Sequence, residues 1–284
     1  MSNPLNDLVP VLAAGTAILT LAFVSGRFLR AEAAAAKKSF WMITLAVLLL
    51  IWPLEVVLPD WKFGLPTNKG EKSATTIAVP TSAVLVTEAT ELKPLSLPPQ
   101  VPGINTVELE PVATSTWSVV RIFAVVWLGG FTLLLLRLGI GRIALARLWR
   151  EGQHASSEWD QLARESASAL ELHRKVAVRI SPAARLPMTW GIRNPRILLP
   201  ENASKLSEEE RRALLLHEMT HIASSDALAL VTGQLAVAIH WLNPLAWLAL
   251  ARLRFLQELA CDQRVLSLQK GDPADYAGLL VTIA

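Results

Sequence analysis

The strongest constraint on this chain is a set of three apolar runs, each close to the length that a helix needs to cross a bilayer. Leu8 to Ser25 is apolar apart from small hydroxyl residues, about the minimum of ~18 residues for a span. Phe40 to Leu58 is the second run, with Trp41, Trp52 and Trp61 at or near its two ends, where interfacial aromatics belong. Trp117 to Leu136 is the third, interrupted only by Arg121 near its start. The first two runs have no polar face, which sets them apart from buried helices of a soluble core. Composition agrees. Of 284 residues, 52% are hydrophobic and 18% charged, with a mean hydropathy of +0.39. That is too apolar for an ordinary soluble protein and too charged for a chain made only of spans.

Basic clusters orient these runs. Arg27, Arg30, Lys37 and Lys38 follow the first against a single Glu32, and Arg137, Arg142, Arg147 and Arg150 follow the third. By the positive-inside rule the amino terminus lies outside, and residues 26 to 39 and those just after 137 lie in the cytoplasm. Topology thus accounts for the arginines, and direct nucleic-acid binding is not expected. Residues 1–58 read as a two-span hairpin and residues 117–150 as the third span with its basic exit. Between them, residues 59–116 are rich in Pro, Thr, Ser and Val, with Pro94, Pro98, Pro99, Pro102 and Pro111 in quick succession. That composition predicts an extended, poorly ordered loop outside the cytoplasm.

From Glu151 the pattern changes to that of a soluble insert. Ser156 to Leu172 has helical periodicity with mixed charge. Val176 to Ile180, Met188 to Ile192 and Arg196 to Leu199 are strand candidates, the last two joined through an Asn194-Pro195 turn. An exposed edge of this small sheet could hold an extended peptide by backbone pairing; a purely structural sheet is the alternative.

The next stretch carries the chemistry. His217-Glu218-Met219-Thr220-His221 is the H-E-x-x-H pattern. On a helix its histidines lie at i and i+4, so both imidazoles reach one zinc ion, with the glutamate as general base on a zinc-bound water. Ser207 and Glu210 form a capping box ahead of it. At ~100° per residue, Leu215, Met219, Ile222 and Ala223 make a buried back opposite the histidines. The single cysteine, Cys261, excludes an internal disulfide framework and a multi-cysteine zinc site.

A catalytic zinc needs a third protein ligand, and Asp226, His240, Glu258, Cys261 and Asp262 are the downstream candidates. If the helix continues, Asp226 falls ~180° round from His217, on the back face. His240 ends an apolar run and would lie ~20 Å away. Cys261 is more simply a packing residue. Glu258 and Asp262 form an i, i+4 pair in which one carboxylate can ligate and the other orient a metal-bound histidine. Residues 227 to 251 as one straight span would rise ~36 Å and carry Glu258 across the bilayer. Asn243-Pro244 interrupts that run, however. Helices over 227 to 241 and 245 to 265 would form a hairpin that dips into the membrane and returns Glu258 to the histidines.

With these residues in view, the chain resembles the antirepressor-type membrane metallopeptidases, the family of bacterial beta-lactam sensor-transducers and methicillin-resistance regulators. The matching pieces are His217 to His221 followed by Asp226, then His240-Trp-Leu-Asn-Pro-Leu-Ala-Trp247, then Glu258-Leu-Ala-Cys-Asp262, with Trp190 to Pro200 ahead of them. The resemblance implies a gluzincin: zinc on His217, His221 and Glu258, Glu218 as base, and Asp262 behind the ligands. It implies a mainly α membrane protein, with three spanning helices, a membrane-dipping helical hairpin and a small α+β zinc domain (151–284) on the cytoplasmic side. It also implies a zinc endopeptidase of the bacterial cytoplasmic membrane that transduces an external signal by cleaving a cytoplasmic, repressor-like protein or itself. Expected partners are that substrate, the lipid bilayer and, as an open alternative, a second copy in a homodimer. Tyr276 is a candidate for stabilising a developing oxyanion, with packing as the other reading.

The sensor members of that family carry an external penicillin-binding domain with S-x-x-K. The S-x-x-K here, Ser267 to Lys270, follows the zinc motif with no Lys-Thr-Gly to accompany it, so beta-lactam binding is not supported. The chain stops in the apolar run Ala277 to Ala284, which suggests a domain truncated at its carboxyl end. A transporter or pore is disfavoured, since the spans carry no interior acid or base apart from residues near their ends, and two other readings remain. One is a transducer whose zinc site is structural, with Cys261 as fourth ligand, or vestigial. The other is a prenyl-protein or quality-control type of membrane metalloprotease.

Overall fold

The structure, a computed structural model, describes residues 4–29, 34–57, 116–269, 274 and 276–278. The expected Pro-rich loop, the Trp61 anchor and most of the apolar tail after Ala277 fall outside them. The apolar runs form helices α1 (Pro4–Phe28), α2 (Ala34–Val57) and α3 (Thr116–Glu151). By length and composition, α2 and α3 can each cross a membrane, and the described apolar part of α1, Ala13–Phe28, is shorter. Helix α3 runs on through the arginine cluster, to ~54 Å at ~1.5 Å per residue. None of its apolar window is buried, and Ile122, Val125, Val126, Leu133, Leu136 and Ile140 all face outward. A surface of that kind suits lipid and not water.

After α3 come β1 (Gln153–His154), α4 (Ser157–Ala169), β2 (Ala177–Ser181), β3 (Met188–Trp190) and β4 (Arg196–Pro200). The sheet order is β1-β2-β4-β3, with β2 and β4 parallel and the outer strands antiparallel to their neighbours. The two-residue β1 is too short to leave a period-2 signature and was not anticipated. β4 is buried along Ile197, Leu198 and Leu199, as a central strand covered on both faces should be.

Helix α5 (Glu208–Ala223) opens on the expected capping box. Ser207 Oγ accepts from Glu210 N and Glu210 Oε2 accepts from Ser207 N, contacts worth about 1 kcal/mol. Leu214, Leu215, Met219 and Ile222 pack with Trp159, Leu162, Val178, Ile197 and Leu199 into one core. Ala223, expected on the buried back, is exposed because the helix ends there. Ser225 takes a left-handed backbone (φ 56°), and α6 (Asp226–Ile239) leaves at 57° to α5. Such a conformation is costly without a glycine, so the bend is built in.

Helix α6 leads to a turn at His240 to Asn243 and then to α7 (Pro244–Leu268). Asn243 caps α7 by accepting from Leu245 N, and Pro244 occupies the first turn, where its missing N–H costs nothing. Both helices pack on α2 around Trp41, Leu45, Leu48, Ala229, Ala236, Ala249, Leu250 and Leu253. A Cβ on Gly233 would lie 2.8 Å from Leu250 Cδ1 and 3.2 Å from Leu45 Cδ1. Close helix approach here depends on small residues, as it does between helices in lipid. The turn is tied down by indoles: Trp127 Nε1 donates to Ile239 O (3.0 Å), Trp241 Nε1 to Trp127 O (3.2 Å) and Trp247 Nε1 to Trp241 O (2.9 Å). His240 lies buried against α2, its Nε2 3.1 Å from Leu48 O.

Candidate metal centre

The hairpin geometry decides which side chains meet. Helix α6 carries the chain away from the end of α5 over 14 residues, a rise of ~21 Å. Glu258 lies 258 − 244 = 14 residues into α7, so the return covers the same ~21 Å. Glu258 Oε2 is thereby 3.5 Å from His217 Nε2 and 3.8 Å from His221 Nε2. The donor atoms of His217, His221 and Glu258 all lie within 4.8 Å of one another. Two imidazoles and one carboxylate that converge in this way fit a catalytic zinc, which keeps a further position open.

Each histidine is held from behind. His217 Nδ1 meets the Tyr276 hydroxyl at 2.9 Å and Asp262 Oδ1 at 3.2 Å, and Tyr276 itself donates to Asp262 Oδ1 (2.9 Å). With Tyr276 committed as donor to Asp262, His217 Nδ1 acts as the donor on that side, and Nε2 faces Glu258. The Tyr276 hydroxyl therefore lies on the Nδ1 side of His217, opposite the Nε2 that faces Glu258. His221 Nδ1 is 2.9 Å from Asp226 Oδ2. Asp226 was expected on the back face; the bend at Ser225 instead folds it onto His221. Its other oxygen accepts from Lys38 Nζ at 2.9 Å. Neither Lys38 nor this use of Asp226 was foreseen, because a lysine at the foot of a span reads first as a topology determinant.

Glu218 is buried between the histidines in sequence, and the Thr189 hydroxyl of β3 donates to its Oε2 in a short hydrogen bond. Thr189 carried no signal beyond its place in a strand. β3 is an edge of the sheet, and its Thr189 reaches Glu218. Beside it is a cavity of about 200 Å³ lined by Thr189, Ile192, His221, Ile222, Leu228 and Arg174, among others.

The electrostatics favour a cation. Burial disfavours a charged His217, yet hydrogen bonds to Asp262 and Glu258 and the charges of Glu218 and Asp262 outweigh it, raising its pKa to about 10. The hydrogen bond from His217 holds the Glu258 carboxyl below its ordinary value despite partial burial. Cys261 forms a second donor group with His221 and Asp226, but its Sγ lies 3.3 Å from His221 Nδ1, the nitrogen turned away from Glu258. Burial, then the Asp226 charge, push the Cys261 thiol far above its usual range in the metal-free protein, so ligation there would have to begin by deprotonating it.

Comparison with known proteins fits this arrangement. A family model described as BlaR1 peptidase M56 matches residues 9–284. The chain is similar to the Regulatory protein BlaR1 of Bacillus licheniformis, 26% identical over 186 residues, covering 65% of this chain and 31% of that protein. The chain thus spans about a third of the length of this curated relative.

Proposed function

The chain belongs to the BlaR1 peptidase M56 family, and on that footing we propose that it is a membrane-embedded zinc endopeptidase that cleaves a cytoplasmic, repressor-like protein, or itself, during signalling. Three spans and the dipping hairpin α6–α7 hold it in a bacterial cytoplasmic membrane, amino terminus outside and site facing the cytoplasm. One observation carries the reading. His217 and His221 of α5 and Glu258 of α7 converge, although they come from helices separated by a hairpin, and Glu218 stands beside them with its orientation set by Thr189. The word regulatory in the name of the Bacillus relative supports the signalling role.

A zinc ion on His217, His221 and Glu258 would supply Lewis acidity for the scissile carbonyl and acidify the attacking water. The rest falls to the chain. Thr189 occupies Oε2 of Glu218, leaving Oε1 to take the proton of the water as its oxygen adds to the carbonyl carbon. Glu218 then passes that proton to the leaving amine as the C–N bond breaks. Asp262 with Tyr276, and Asp226 with Lys38, keep both rings in ligating orientation from their Nδ1 sides. A substrate strand added to the free edge of β3 would pass Glu218.

Glu218→Ala tests the proposal: cleavage is lost while zinc is retained, and full activity in that variant overturns the mechanism.

A further inference from the structure

The foot of α2 makes a contact that neither topology nor the peptidase chemistry requires. Lys38 is 8% exposed, its Nζ 2.9 Å from Asp226 Oδ1, while Asp226 Oδ2 is 2.9 Å from His221 Nδ1. A lysine that only marked the cytoplasmic side would keep its ammonium in water. Lys37, next to it, remains partly exposed. Lys38 instead continues the buried stripe Trp41, Leu45 and Leu48, by which α2 packs on α6 and α7. Residues 38, 41, 45 and 48 share one helix face, so the seat of α2 in the bundle also sets the position of the ammonium.

Asp226 is a buried carboxylate whose two oxygens are divided between a cation and a histidine, and its backbone oxygen accepts from Gln257 Nε2 of α7 at 3.2 Å. Without Lys38 its Oδ1 would lose the ammonium, and the side chain would be held through Oδ2 alone, by His221 and a long contact from the Cys261 thiol (3.7 Å). The ring of His221 would turn with the carboxylate.

We propose that Lys38 is a positioning residue of the metal site: through Asp226 it fixes the ring of His221, so the seating of membrane helix α2 sets metal affinity. This rests on His221 being a ligand, as argued above. It gives the membrane hairpin a direct mechanical route to the centre, two hydrogen bonds long.

The test uses the full chain in detergent, with cobalt(II) and zinc as the only probes. Lys38→Met, Asp226→Asn, the double variant Lys38→Met/Asp226→Asn and Lys38→Arg are compared by the visible spectrum of bound cobalt and by zinc affinity against a chromophoric chelator. Loss of a partner behind a ligand weakens metal binding by ~10–100-fold. We expect Lys38→Met to lose about tenfold, at the lower end of that range, and to alter the cobalt spectrum. Lys38→Arg recovers most of both. The double variant removes both buried charges together and so keeps its fold; it matches Asp226→Asn alone. Lys38→Met with wild-type spectrum and affinity, or a double variant whose loss is the sum of the two single losses, overturns the positioning role and leaves the peptidase reading intact. A wild-type chain whose cobalt binding does not depend on His221, checked with His221→Ala, overturns both.

Discussion

Among the described residues two sets of donors could hold a metal ion, and a pair of substitutions separates them. One set is His217, His221 and Glu258; the other is His221, Asp226 and Cys261. They use opposite nitrogens of His221: Nε2 faces Glu258, and Nδ1 faces Asp226 and Cys261. The second set would have to turn a fully buried, neutral Cys261 into a thiolate beside the Asp226 carboxylate. Glu258 meets no such barrier, since its side chain is 62% exposed and already ionised at neutral pH. Glu258→Gln keeps the size of the side chain and replaces an anionic ligand by a neutral one. Losing an outer partner costs ~10–100-fold in metal affinity, so losing a ligand itself should cost more than ~100-fold, or upwards of ~2.7 kcal/mol. Cys261→Ser should change zinc affinity by less than ~3-fold, because the hydroxyl inherits only a hydrogen bond behind His221. Zinc stoichiometry by elemental analysis after dialysis, with chelator competition for affinity, reads both. The reasoning is refuted if Cys261→Ser empties the site while Glu258→Gln leaves it full. That result would also revive the structural-zinc transducer, for which Cys261 is the necessary ligand.

Two further outcomes follow from the same geometry. Thr189→Val removes only the hydroxyl that orients Glu218; a hydrogen bond to a charged group is worth ~1.5–3 kcal/mol, so cleavage should slow by about tenfold or more, with zinc content unchanged. Equal cleavage rates in Thr189→Val and the wild type would show that Glu218 needs no orienter. In the metal-free chain the pKa of His217 is raised to about 10, so its charged contacts contribute full stability below the unfolded value of ~6.5 and lose it as pH rises towards 10. Zinc uptake at pH 8 should therefore release about one proton from this residue, measurable by calorimetry in buffers of different ionisation enthalpy.

What could be read from the chain, and what could not, divides along one physical line. Features written in local periodicity or local chemistry were legible: the capping box at Ser207 and Glu210, the H-E-x-x-H face, the interruption at Asn243-Pro244, and strands at β2, β3 and β4. Family membership was legible as well, because the four motif blocks carry it in order. The misses concern where the chain turns without a Gly or Pro to announce it. Nothing in Ser224-Ser225 signals a left-handed residue, so extrapolating α5 put Asp226 on the wrong face. Lys38 and Thr189 were opaque for a related reason. Their partners lie 188 and 29 residues away in sequence, and a lysine near a span or a threonine in a strand has an adequate local explanation already. The two-residue β1 is defined by its pairing with Ile180 and Arg179 and by nothing in its own sequence.

The position of α5 explains why these long-range partners accumulate where they do. One face of the helix belongs to the soluble core, through Leu214, Leu215, Met219 and Ile222. His217 and His221 look instead towards α7, whose amino-terminal half is buried against α2 in the membrane-side core. The candidate centre therefore sits on the seam between two cores. Three ligands on one rigid element would form a site indifferent to its surroundings. Here the proposed third ligand, Glu258, reaches its place only after an outward and a return helix of matched length, and the turn between them is pinned to α3 by Trp127 and Trp241. Displacing the hairpin by one helical turn, ~5.4 Å, would put Glu258 beyond any metal-ligand distance from the histidines. A ligand set divided in this way would make the packing of the helical bundle a condition of metal binding.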